Sequence, residues 1–376
     1  MTGPPVRAPL VLVFLCLWNT WIALPWVDAQ PNTAMFHGGA DRVGVYETTG
    51  IDSLHGVKWF VGIGFLGRHS GSSPVVVEGL VYFSGGDRYV HAIRAEDGKE
   101  EWRFQMWGDS FSTPAVAEGV VYIGNGDGNL YAIGAQTGKE CWKFPAGAAI
   151  DSSPGIANGV VYFAAGDHVL YALNARTGRE CWHSRMGSRG TTSPAVAGST
   201  VYVGSDTLLF ALDTRTGREI WRFRVSRWVT STPCVADGTV YIGSAGGEIF
   251  ALDAATGIQR WVFDAEGQIW SCPAVANRMI YFACVDSGAK QAYALDTKSG
   301  RQVWRLELKD GVVSSPAVVG GTVYFGGLDM NMYAVDARTG TARWRFRAKD
   351  KIYSSPAIEA GVLYFASADG TLYALH

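Results

Sequence analysis

A Ser, Thr or Cys followed by Pro recurs through this chain at Pro74, Pro114, Pro154, Pro194, Pro233, Pro273, Pro316 and Pro356, at steps of 39, 40 or 43 residues. A Trp follows each of the first seven prolines by 27 to 31 residues: Trp102, Trp142, Trp182, Trp221, Trp261, Trp304 and Trp344. A Tyr stands between each Pro and its Trp, and an Ala precedes each Trp by ten residues. Self-similarity at this period constrains the fold more than any single motif does. Each copy is one supersecondary unit that buries its faces only by stacking on the next copy.

One unit shows what the copies are. Residues 112–144 read STPAVAEGVVYIGNGDGNLYAIGAQTGKECWKF. Pro-Ala-Val-Ala, Val-Val-Tyr-Ile-Gly, Leu-Tyr-Ala-Ile and Glu-Cys-Trp-Lys-Phe read as four short strands. They are separated by Glu-Gly, Asn-Gly-Asp-Gly and Gln-Thr-Gly-Lys, whose Gly and Asn accept the positive φ of hairpin turns. No window keeps a helical period over the length that a helix requires. Four antiparallel strands per repeat make the blade of a propeller, so the chain is expected to be an all-β, eight-bladed ring. The last unit stops at His376 before its Trp, and the missing Trp is Trp59. Blade 8 is therefore expected to combine residues 354–376 with 56–62, which closes the sheet and removes exposed edges. The eight repeat Trp, the turn Gly four residues before each of the first seven and the Ala are read as scaffold.

The unit Ala-x-Asp-x-x-Thr-Gly-x-x-x-Trp stands at Ala211–Trp221, Ala251–Trp261 and Ala334–Trp344. It is similar to the tryptophan-docking repeat of the pyrroloquinoline-quinone (PQQ) family of propellers. Phe36-His-Gly-Gly-Ala-Asp-Arg-Val-Gly44 also resembles the segment that leads into such rings. Trp-Asp and Gly-His signatures of the competing repeat class do not occur. The resemblance implies one of several functions. Some members are quinoprotein alcohol or sugar dehydrogenases, with PQQ and a metal over the axis. Others are non-enzymatic, such as the BamB-type outer-membrane protein assembly factors, and some are extracytoplasmic sensors.

Chemistry leaves few marks on the rest of the chain. The alcohol-oxidising members carry adjacent cysteines and long insertions, whereas this chain has no Cys-Cys pair and near-uniform 12-residue links from Trp to Pro. The seven His form no i, i+2 or i, i+4 metal pair. Gly-Asn-Gly-Asp-Gly at 124–128 lacks the residues that complete a phosphate or calcium loop and reads as a hairpin turn. Five cysteines follow residue 29, namely Cys141, Cys181, Cys234, Cys272 and Cys284. They are expected to be mostly buried and inert. A net charge of −2 gives no field for a polyanion, so nucleic acid is not an expected partner.

The first residues read as a targeting segment. Arg7 precedes an apolar stretch from Ala8 to Trp26, and Val27-Asp28-Ala29 offers a cleavage site before Gln30. Residues 1–29 are thus expected to be a signal peptide, and residues 30–376 a single exported propeller, monomeric and periplasmic or secreted. Three Trp fall outside the repeat: Trp107, Trp228 and Trp270, all in the short links between blades. Phe111, Tyr353, Arg189 and Arg227 stand in the same set of links, on the face shared with the second turns. Aromatic side chains with Arg on a loop surface suit a binding hot spot for a protein or small ligand; the other reading is that they plug the axial channel. The favoured function is a non-catalytic scaffold without cofactor or metal, reaching membranes only through a partner. The alternative is a PQQ-dependent dehydrogenase using PQQ and calcium.

Overall fold

The computed structural model describes residues 34–64, 72–187, 190–285 and 290–376. The segment read as a signal peptide lies outside the described residues. Among the described residues, 32 strands form eight four-stranded antiparallel sheets, with no helix. Blade 2 is representative, with strands Ala115–Ala117, Val120–Gly124, Asn129–Gly134 and Glu140–Pro145 paired in order. The three-residue inner strands of successive blades touch around the axis, and blade 8 touches blade 1.

The ring closes as the missing Trp implied. Val57–Gly62 pairs with Thr371–Leu375, with Trp59 opposite Ala374 and Phe60 opposite Tyr373. The repeat Ala has the same place in every blade, directly across from the Trp, as in Ala132 opposite Trp142. A side chain larger than methyl there would meet the neighbouring blade.

Each Trp then docks on the following blade. The Trp102 Nε1–H donates to the Ala135 carbonyl at 2.7 Å, and Trp59 to that of Ala95 at 3.0 Å. The turn Gly of the next blade lies on the ring: Gly138 has φ +64, and a Cβ there would sit 2.8 Å from Trp102. Trp344 donates to Ile51 at 2.9 Å, so the segment before the split strand replaces the turn that blade 8 lacks. Tyr82 donates to the same Ala135 carbonyl at 3.2 Å. The core is accordingly eight layers, one between each pair of adjacent blades, rather than one central mass.

The residues before each Pro divide two fastening tasks. The hydroxyl two positions before Pro accepts the N–H twelve residues on in its own blade, as Ser112 does from Gly124 at 3.2 Å. In six of the eight blades the hydroxyl one position before Pro accepts from the neighbouring blade. Ser73 N–H donates to Thr113, Thr113 N–H to Ser153, and Ser355 N–H to Ser73, all at 2.9–3.0 Å. This belt crosses the closure between blades 8 and 1.

The axis is filled by the chain itself. Ala34 bridges Val116 of blade 2. The carbonyls of Ala40, Asp41, Val43 and Gly44 then accept N–H groups of Val196, Val235, Val275 and Val318, on the inner strands of blades 4 to 7. Arg42 is fully buried within this segment. Its guanidinium donates to the carbonyls of Phe36, Ser153, Pro154 and Pro194 at 2.6–3.1 Å. Burial lowers its pKa to about 10, which leaves it charged.

Candidate functional site: the face of the inter-blade loops

The links from the outer strands of blades 4 and 5 to the next inner strands wedge between second turns. In the link between blades 4 and 5, Val229 N–H bonds the Asp206 carbonyl at 2.8 Å, and Ala245 N–H bonds the Trp228 carbonyl at 2.9 Å. In the next link, Ile269 N–H bonds Ser244 at 3.2 Å, and the Gln268 carbonyl accepts from Val285 at 3.0 Å. An apolar anchor in each of these links is buried, Val229 and Ile269 among them. The adjacent side chain is left at the surface, and in these two links it is Trp228 and Trp270.

Among the described residues the three extra Trp are the most exposed large rings of the links: Trp107 at 78%, Trp228 at 56% and Trp270 at 49%. The Trp270 indole donates to Gln268 Oε1 at 3.0 Å, which fixes its orientation. Phe111 is exposed, Tyr353 is half-buried and Arg227 is exposed. Arg189 lies outside the described residues. The chain positions separate these residues into two groups. Phe111, Trp270 and Tyr353 each stand three residues before a Pro, whereas Trp107 and Trp228 stand seven and five residues before theirs. Asp151 holds the same position, three residues before Pro154, and burial raises its carboxyl pKa.

The channel is occupied by residues 34–46, a role that sequence reasoning assigned to no residue of that segment. Its signals were present: a Gly pair, and Gly44, where a Cβ would stand 2.8 Å from that of Ala274. The cysteines divide unevenly. Cys234, Cys272 and Cys284 are buried, but Cys141 and Cys181 are exposed on the outer strands of blades 2 and 3. The turn acids make local bonds: Asp127 accepts from Asn129 N–H at 3.0 Å and from the Tyr131 hydroxyl at 2.6 Å.

This geometry defines a class first: an eight-bladed propeller of the tryptophan-docking type, with a closed split blade and an internally plugged axis. The family model for the outer membrane protein assembly factor BamB matches residues 57–128, 86–206, 169–277 and 288–376, and the chain belongs to that family of PQQ-type repeats. Among solved structures, BamB from Moraxella catarrhalis is similar at 18% identity and TM-score 0.72, over 85% of this chain and 99% of that one. Quinohemoprotein alcohol dehydrogenase from Comamonas testosteroni is similar at 17% identity and TM-score 0.80, over 92% and 80%. The computationally designed Ika8 protein matches at 15% and TM-score 0.74, over 84% and 99%. At these identities the likeness is one of fold. No curated protein matches the chain.

Calcium takes six to eight oxygen ligands, and among the described residues no three His, Cys, Asp or Glu converge on a point that could hold a metal.

Proposed function

We propose that this protein is an extracytoplasmic, non-catalytic scaffold that binds a protein partner through the face bearing Trp107, Trp228 and Trp270. The observation that carries the reading is the exposure of three Trp at positions where the repeat has none, each on a loop held by backbone bonds to neighbouring turns. A rigidly presented Trp binds at low cost in side-chain entropy, and Trp leads the residue types that dominate binding energies. Membership of the BamB family supports a protein rather than a metabolite as the ligand. No helix among the described residues is long and apolar enough to cross a membrane.

The test is capture from detergent-solubilised native membranes with the wild type and with Trp107→Ser/Trp228→Ser/Trp270→Ser. A partner held by the wild type should bind the triple variant at least about 30-fold more weakly, the effect of losing about 2 kcal/mol at a single anchor. Equal affinity for both would contradict the assignment.

A further inference from the structure

We infer that the link face is charge-bipolar and takes a protein segment whose acidic half lies on blades 3 and 4 and whose basic half lies on blade 5. This inference deepens the proposed function and rests on it. The last residue of each outer strand pairs with the first residue of the strand inside it, so it stands beside the second turn, on the face of the links. Arg185 is opposite Val169, Arg224 opposite Leu208, Asp264 opposite Glu248 and Glu307 opposite Gln291. One register position thus reads Arg, Arg, Asp, Glu across four consecutive blades, and all four side chains are exposed. The links repeat the sign: Arg227 follows Arg224, whereas Glu266 follows Asp264. Among the described residues none of these six forms an ion pair.

Each half has its own anchor, because Trp228 follows Arg224 and Arg227 while Trp270 follows Asp264 and Glu266. Asp167, Asp206 and Glu248 add one acid beside the second turn of each of blades 3, 4 and 5. That background is common to both halves, so the strand ends and links set the contrast. In blade 6 Lys290 and Lys309 offset Glu307 and Asp310, which centres the acidic half on blade 5. Blade 7 is cationic again at Arg347, but its link carries the half-buried Tyr353 and no Trp. An exposed charge pair contributes only about 0.2–1 kcal/mol, so the charges select and orient the partner while the Trp supply affinity. A uniformly anionic surface of lipid headgroups would be attracted to blades 3 and 4 and repelled by blade 5. A protein segment can carry both signs in the required order.

Fluorescence anisotropy at low salt, with two labelled peptides of one composition, tests this on the whole protein. One peptide has a Glu block, a Leu and a Lys block, and the other alternates Glu and Lys around the same Leu. The wild type should hold the block peptide at least about tenfold more tightly, or roughly 1.4 kcal/mol. Arg224→Glu/Arg227→Glu should abolish that preference, and so should Asp264→Arg/Glu266→Arg. The four substitutions together should regain it, because the two halves have then exchanged sign. All four side chains are exposed, so the variants should melt with the wild type. A wild type without preference for the block peptide, or a preference untouched by either charge pair, would overturn the inference. Tighter binding to phosphatidylglycerol vesicles than to the block peptide would overturn it as well. Equal partner capture by the triple Trp variant would contradict the proposed function instead, so the two failures are distinct.

Discussion

Two glycines of one blade separate backbone conformation from docking. Gly119 has φ +72 and open space where a methyl would stand, whereas Gly138 has φ +64 and the Trp102 ring 2.8 Å from that place. Gly119→Ala should cost roughly 1–2 kcal/mol, the left-handed conformation alone. Gly138→Ala should cost at least about 2 kcal/mol more, because the indole cannot retreat from its close-packed site. Urea unfolding of the two variants measures the difference, and equal losses would remove the docking role. His91 is a second case. Seven blades place Tyr or Phe where blade 1 has His91, which bridges Glu100 at 2.7 Å and Asp87 at 3.1 Å and stacks on Phe83. Burial opposes its charge, but the hydrogen bonds to both carboxylates win, and its pKa is raised. A raised folded pKa gives stability that is complete below the unfolded value near 6.5 and is lost as pH rises through the folded value. The Asp87 pKa is lowered, so its share is lost in acid instead. His91→Tyr, the residue that sibling blades use, should flatten the stability profile on the alkaline side of about pH 6.5. An unchanged slope in unfolding experiments from neutral to mildly alkaline pH would refute the bridge.

At the scale of strands and blades, the repeat was legible because it is written in large and special residues. Trp, Pro and Gly recur at positions where no other side chain meets the packing or the φ angle, so their spacing revealed the blades and the split closure. The fastening belt was not legible, although Ser and Thr stand in plain view before Pro. A hydroxyl can bond many neighbours, and only the assembled ring brings Ser355 to Ser73, 282 residues apart. The closure makes its own prediction. Trp59 is buried, packs against Tyr364 at 5.7 Å and ties the split strand to blade 1. Trp102 sits within a covalently continuous stretch and is less buried. Trp59→Ala should therefore destabilise the ring by about 3–5 kcal/mol, more than Trp102→Ala does. A smaller shift in thermal unfolding for Trp59→Ala would misplace the seam.

Across the whole molecule, repetition makes the ring and departures from it individualise the ring. The most consequential departure, residues 34–46, was legible as a lead-in but not as the filling of the axis. Its bonds are backbone carbonyls reaching inner strands of five blades, and such partners leave no pattern of side chains in sequence. Besides its glycines, Arg42 hinted at it, as a charge next to Gly-rich chain whose ligands prove to be four carbonyls. The candidate face was legible in its Trp, because a Trp outside a Trp repeat is conspicuous. The axis is already bonded to the chain's own segment, and the proposed binding role requires that the three Trp be free of structural duty. The direct test is the melting temperature of Trp107→Ser/Trp228→Ser/Trp270→Ser beside that of Trp102→Ala. The triple variant should melt within about 2 °C of the wild type, since exposed side chains away from the packing cost little, and the single repeat Trp variant should show a clear drop. A triple variant that melts as low as Trp102→Ala would contradict the binding role and return those three rings to the scaffold.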